Sequence, residues 1–110
     1  MFYSLTAHRV HDKVRFKEGG ETLLLSVDAD PDHLVAGLLQ AEKLMKAIDT
    51  PESVDSCAEF FSKLIFGEAQ SKKLLDFYFG NRGVVLELLC RYFTERLNKK
   101  IMKEQKRRQK

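Results

Sequence analysis

Apolar residues return along this chain in two rhythms. Between His11 and Val27 they alternate with polar ones, and from Pro31 onward they recur every three or four positions. Alternation is the signature of a half-buried strand, and the longer period that of an amphipathic helix. In the segment from His11 to Lys17, Val14 and Phe16 share one face and the charged residues take the other. Glu18-Gly19-Gly20-Glu21 reads as a turn, because glycine enters left-handed backbone without steric cost. The return segment puts Leu23, Leu25 and Val27 on one face. The pattern predicts a β-hairpin over about 11–27, with Phe2 to Val10 as a third strand or an irregular lead-in. Two strands are marginal alone, so the hairpin needs a helical layer to pack on.

Four helices are expected after it. Asp30 followed by Pro31 is an N-cap with proline at the first helical position. Leu34, Leu38, Ala41, Met45 and Ile48 then trace a stripe over about 31–48, widened by Val35 and Leu39. Thr50-Pro51-Glu52 repeats the start signal, and Val54, Cys57, Ala58, Phe61, Leu64 and Ile65 carry a helix over 51–66, stopped or kinked at Gly67. A third, short helix spans 68–79. After the turn Gly80-Asn81-Arg82-Gly83, the fourth covers about 83–105, with Val85, Leu88, Leu89, Tyr92, Phe93, Leu97 and Ile101 on its apolar face. The expected class is α+β, mainly α: a hairpin, then helices joined by short connections that favour antiparallel neighbours.

Composition divides the chain further. Of its 110 residues 44% are hydrophobic and 32% charged, which suits one globular domain. The net charge of +3 hides a split. Residues 99–110 hold seven of the nineteen Lys and Arg and one acid, leaving twelve cations against fifteen acids before them. The reading is a compact, mildly acidic domain over 1–98 and a basic extension over 99–110. The extension continues the last helix as a fraying end, with Lys99, Lys100, Lys103, Lys106, Arg107, Arg108 and Lys110 as an electrostatic tail. No apolar run is long enough to cross a bilayer, and the first residues lack a secretory pattern. Cys57 and Cys90 sit within helical patterns with no CxxC spacing, which points to free thiols in a reducing cytoplasm.

Little in the chain suggests catalysis. His8 and His11 face opposite sides of a strand and His33 opens a helix, so no metal set of three or four ligands is expected. The cysteines read as small buried hydrophobes, with no nearby base to activate them. No acid stands out as buried or paired for proton transfer. Glu87 with Arg91, and Glu95 with Lys99, are solvated helical pairs. A phosphate-cradling glycine loop is missing. The expectation is no enzyme, no catalytic residue, no cofactor and no metal.

The aromatic residues are less ordinary. Eight of the eleven lie between Phe60 and Phe93. Phe77-Tyr78-Phe79 are consecutive, and on a helix they spread over about 200°, so at least one is exposed or covered by a partner. The segment from Phe60 to Tyr78, FFSKLIFGEAQSKKLLDFY, resembles the small tail assembly chaperones of long-tailed bacteriophages and prophages of Gram-positive bacteria. In that family the segment follows an N-terminal β region and an amphipathic helix, and precedes a long helix with a basic end. The resemblance implies a non-enzymatic role in the host bacterial cytoplasm. It implies binding the helical, apolar tape-measure protein before tail-tube subunits polymerise around it, with self-association and possible contact with the tail-tube protein. Phe66, Phe77, Phe79 and Tyr92 are the expected partner-binding residues. Two other readings stand beside it: a small nucleic-acid-binding or regulatory protein using the basic end, and a structural head–tail protein. The tail lacks the interleaved aromatics of single-strand binders, so nucleic acid is the weaker partner.

Overall fold

A computed structural model describes residues 9–108. The expected lead-in before Arg9, with His8, lies outside them, as does Lys110. Strands β1 (Val10–Glu18) and β2 (Glu21–Ala29) pair antiparallel, with Val14 opposite Leu25 and Phe16 opposite Leu23. Gly19 and Gly20 close the hairpin with φ of 56° and 84°, the paired left-handed geometry that matches strand twist. The inner face carries Val10, Val14, Phe16, Leu25 and Val27, all buried. Asp12 shares the parity of Val10, Val14 and Phe16, so it points inward too. That corrects the expectation that every charged residue of β1 faces away.

Helices α1 (Pro31–Lys46), α2 (Pro51–Phe66), α3 (Glu68–Phe77) and α4 (Arg82–Tyr92) follow. The Asp30 carboxylate accepts from the Asp32 N–H at 2.8 Å, capping α1 as its sequence signal predicts. The helix stops at Lys46 rather than 48, so Ile48 packs from the connection. At α2, Thr50 and Ser53 cap each other reciprocally, with Ser53 in the place usually taken by Glu or Gln. Helix α2 is the central element, touching α1, α3, α4 and β2. It buries Cys57, Ala58, Phe61, Ile65 and Phe66. Ser62 of α2 and Ser71 of α3 bond to each other through their buried hydroxyls.

Two side chains fasten the helices to the hairpin. The Gln70 amide donates to the Ser26 carbonyl and accepts from its N–H, each at 2.8 Å, and so extends the edge of β2 by one residue's worth of pairing. The Tyr78 hydroxyl donates to the Lys17 carbonyl at 3.0 Å. Phe16, Phe66, Tyr78 and Tyr92 form the aromatic centre: Phe66 lies edge-on to Phe16 at 5.8 Å and stacks on Tyr92 at 6.3 Å. Edge and offset contacts of this kind add to simple burial. Phe66 and Tyr92, expected on a partner face, are therefore core residues.

The last helix is not uniform. After α4 a π-helical turn (Phe93–Leu97) leads without a break into α5 (Asn98–Arg108). The Asn98 N–H bonds to the Phe93 carbonyl, five residues back. Core positions show why the turn is there. Val85, Leu89 and Tyr92 are buried at spacings of four and three, then Leu97 at five and Ile101 at four. In an unbroken α-helix, Leu97 would sit about 140° round from Tyr92. The wider turn returns it to the core. Burial of Leu97 and Ile101 contributes about 3–6 kcal/mol, whereas an isolated helix this short is marginal. The packed body therefore runs past 98, and α5 contacts both α1 and β1. The expected boundary at 98 falls inside it, and its residues through Gln105 are anchored rather than frayed.

The spacing makes an asymmetric prediction. Deleting Glu95 converts the π turn to an α turn and keeps Tyr92 and Leu97 in phase, so the fold survives. Inserting one alanine after Glu95 rotates Leu97 and Ile101 out of the core and destabilises the protein by about 3–5 kcal/mol. Urea unfolding of the two variants measures the difference.

Candidate functional site

One carboxylate joins the hairpin to the last helix. The Asp12 side chain is only 6% exposed. Tyr92 donates its hydroxyl to Oδ2 at 2.7 Å, the Lys13 N–H donates to Oδ1 at 2.9 Å, and the Arg96 guanidinium donates to Oδ1. Arg96 also reaches the Lys13 carbonyl at 2.7 Å, and Lys100 Nζ stands 3.8 Å from Oδ1. Burial alone would raise the Asp12 carboxyl, but the hydrogen bonds from Arg96, Tyr92 and Lys13 outweigh it and hold the group below its ordinary value. The Tyr92 hydroxyl is pushed well up, by its own burial and then by its bond to Asp12. Both oxygens of Asp12 accept hydrogen bonds, Oδ1 from Lys13 and Arg96 and Oδ2 from Tyr92. The cluster is a clamp, and Lys100 belongs to it rather than to a free tail.

The clamp fixes the position of the last helix, and that helix forms one wall of a groove. The opposite wall is α1, running antiparallel. Gln105 Nε2 meets Asp32 Oδ1 at 3.3 Å towards one end, and Cys90 Sγ lies 4.0 Å from Met45 Sδ towards the other. Between them is a cleft of about 350 Å³ lined by Val35, Leu38, Leu39, Met45, Cys90, Phe93 and Ile101, with Glu42, Thr94 and Asn98 among its polar residues. Leu39 is 60% exposed, Met45 37% and Met102, beside Ile101, 50%. These are three of the six large apolar side chains exposed among the described residues. Scattered singly they would be unremarkable; Leu39 and Met45 together on one cleft, with Met102 nearby, make it the candidate site.

Phe79 is a second exposed apolar feature, at 90%. Helix α3 ends at Phe77, not at 79. The Gly80 N–H bonds the Leu75 carbonyl at 2.8 Å and the Phe79 N–H bonds the Asp76 carbonyl at 3.0 Å, the double closure that ends a helix with a left-handed residue. Phe79 occupies that left-handed position with φ of 56°, where glycine is usual. Of the consecutive aromatics, Tyr78 is buried, Phe77 is half-buried against the core and Phe79 is open to solvent. Of the four expected partner residues, only Phe79 is fully on the surface.

The remaining candidates fall into place around these features. Lys99, Lys103, Lys106 and Arg107 are exposed on α5, and Arg107 lies 3.4 Å from Glu104. The side chain of Arg108 lies outside the described residues. His11 and His33 are both exposed, and His11 stands 3.6 Å from Asp28. Among the described residues no group of three His, Cys, Asp or Glu side chains could hold a metal ion. Burial pushes both thiols up, that of Cys57 further under the influence of Cys90, which lowers their nucleophilicity at neutral pH. Neither cysteine is in a disulfide.

The inward position of Asp12 and the width of the α1 stripe were within reach of the sequence, but the partners that complete them were not. Strand parity places Asp12 with Val14 and Phe16, and Leu39 widens the α1 stripe beyond what one neighbour covers. The partner wall depends on the π turn, for which the residues around Phe93 give no signal. Comparison with protein-family models, curated proteins and solved structures returns no match.

Two outcomes are expected. Asp12→Asn keeps the shape but loses the charge-assisted bonds, destabilising the protein by about 2 kcal/mol at neutral pH. A carboxyl held low in the folded state stabilises it above its unfolded value and loses that contribution as pH falls through the folded one. The gap between wild type and Asp12→Asn in urea therefore closes as pH drops below the ordinary carboxylate range. Phe79→Gly relieves left-handed strain and raises stability by about 1 kcal/mol, whereas Phe79→Ala, still strained, does not.

Proposed function

We propose that this chain is a tail assembly chaperone of a long-tailed bacteriophage or prophage. In this reading it acts without catalysis in the host cytoplasm, holding the helical tape-measure protein soluble until the tail tube forms around it. The observation that carries the reading is the apolar groove between α1 and the last helix, left open in the single chain. The order of elements and the segment from Phe60 to Tyr78 support it through their resemblance to that family.

The physics of the task suits the surface. A long amphipathic helix presents a continuous apolar stripe that aggregates in water. A cleft between two antiparallel helices covers such a stripe by laying it along the walls, the helix-in-groove mode of recognition. Met45 gives the wall an adaptable side chain, which suits a client presenting many similar but unequal segments. Phe66 and Tyr92 drop out of the binding face because they build the aromatic centre. Leu39, Met45 and Phe93 take their place. Phe79, exposed in a strained position, is the side chain placed to meet a second copy or the tail-tube protein, since strain held at an exposed residue is a pointer to use.

Co-expression tests the reading. A helical tape-measure segment that is insoluble alone should become soluble with the wild-type chain. Leu39→Gln, which removes apolar surface at an exposed position, should return most of the segment to the pellet while leaving the thermal unfolding midpoint nearly unchanged. A segment that stays insoluble with the wild-type chain overturns the proposal. Retention that disappears at moderate salt would point instead to polyanion binding by the basic helix end.

A further inference from the structure

The groove is apolar along its length but charged along its edges. From Val35 to Met45, α1 advances about 15 Å, or roughly three turns. On α1, helical spacing places Lys43 and Lys46 outward of Leu39 and Glu42, and Lys46 neutralises Glu42 at 2.9 Å. On the opposite wall, Asn98 faces the groove, so Met102, Lys106 and Lys99 follow in that order round the outer side of α5. Lys99 and Lys106 are both exposed. Glu95 is the acid on that stretch of wall, and Asp32 is a second acid at the end of α1, where it meets Gln105 at 3.3 Å. Arg91, higher up, is paired with Glu87 at 3.5 Å. With Glu42 paired to Lys46, the edges keep Lys43, Lys99 and Lys106 against Asp32 and Glu95, a small positive excess, although residues 1–98 carry a net negative charge.

We propose that this groove receives an amphipathic helix whose apolar stripe is flanked by aspartate and glutamate side chains. A cleft about three turns long between antiparallel helices fits a third helix rather than a compact ligand. Its floor, built by Val35, Leu38 and Phe93, is apolar, so the occupant presents leucine-like side chains at helical spacing. The lysines then choose among such helices. Opposite charges at the rim set orientation and partner choice, and like charges there are excluded. The basic end of the chain thus acts as one edge of a protein-binding cleft. This inference rests on the reading that the groove holds a helix and adds the charge of its occupant.

Two fluorescent peptides of about 18 residues separate the possibilities. Both carry the same leucine stripe, one flanked by glutamates and one by lysines, and each is titrated with the full chain by anisotropy. The glutamate-flanked peptide should bind about tenfold tighter or better, and the difference should shrink at high salt. Leu39→Gln should weaken both peptides. Lys99→Glu combined with Lys106→Glu should reverse the preference. Circular dichroism confirms that these surface variants fold. Equal binding of the two peptides, or tighter binding of the lysine-flanked one, overturns the charge assignment and leaves the helix-binding reading intact. Binding of neither overturns both. A dimer in sedimentation that Leu39→Gln dissolves gives the groove to a second copy and also overturns the proposal.

Discussion

A carboxylate on the apolar face of a strand can be buried only if donors surround it. Asp12 sets that condition for the whole molecule, because its donors come from the far end of the chain. Tyr92 and Arg96 stand eighty and eighty-four residues away, and both hold β1 against the core. An uncompensated buried charge is among the most destabilising features a fold can hold. The hairpin and the last helix are therefore committed to each other, and the helices between them fill the space that the pairing defines.

The π turn reconciles that electrostatic demand with packing. Tyr92, Arg96 and Lys100 form a row that faces Asp12, while Tyr92, Leu97 and Ile101 return to the core. An unbroken α-helix would carry Arg96 about 40° and Leu97 about 140° round from Tyr92, so Leu97 would leave the core. The extra residue in the turn rotates both back, so that Arg96 and Leu97 flank the direction of Tyr92. Once α5 is redirected, it lies antiparallel to α1 with its basic side outward. The groove is thus a consequence of how the clamp and the core share the last helix, and its geometry is held from the hairpin side.

What remains exposed is informative because the core is already complete. Of the eight rings between Phe60 and Phe93, Phe66, Tyr78 and Tyr92 join Phe16 in the aromatic centre, and Phe61 is buried as well. Leu39, Met45, Met102 and Phe79 gain nothing in the monomer, and Phe79 is strained as well. Leu39 and Met45 line one cleft, Met102 lies beside it, and Phe79 stands apart at the end of α3. Burial raises both thiols, and Asp12 is held by Tyr92, Lys13 and Arg96.

The sequence by itself determined the local elements. The hairpin is written in alternation and in Gly19-Gly20, and the helix starts in Asp30-Pro31 and Thr50-Pro51, because strand parity, left-handed turns and end-capping are decided within a few residues. It also placed a basic end on the last helix. Only the tertiary structure decided which apolar residues were spare. Phe66 and Tyr92 moved from surface to core, and Leu39 and Phe79 stayed outside, because a stripe's width tells how much a helix could bury, not how much its neighbours will cover. The π turn and the Asp12 clamp were decided at the same level. The clamp joins residues eighty and eighty-four positions apart, and no local periodicity can report which distant side chain will arrive to satisfy a charge.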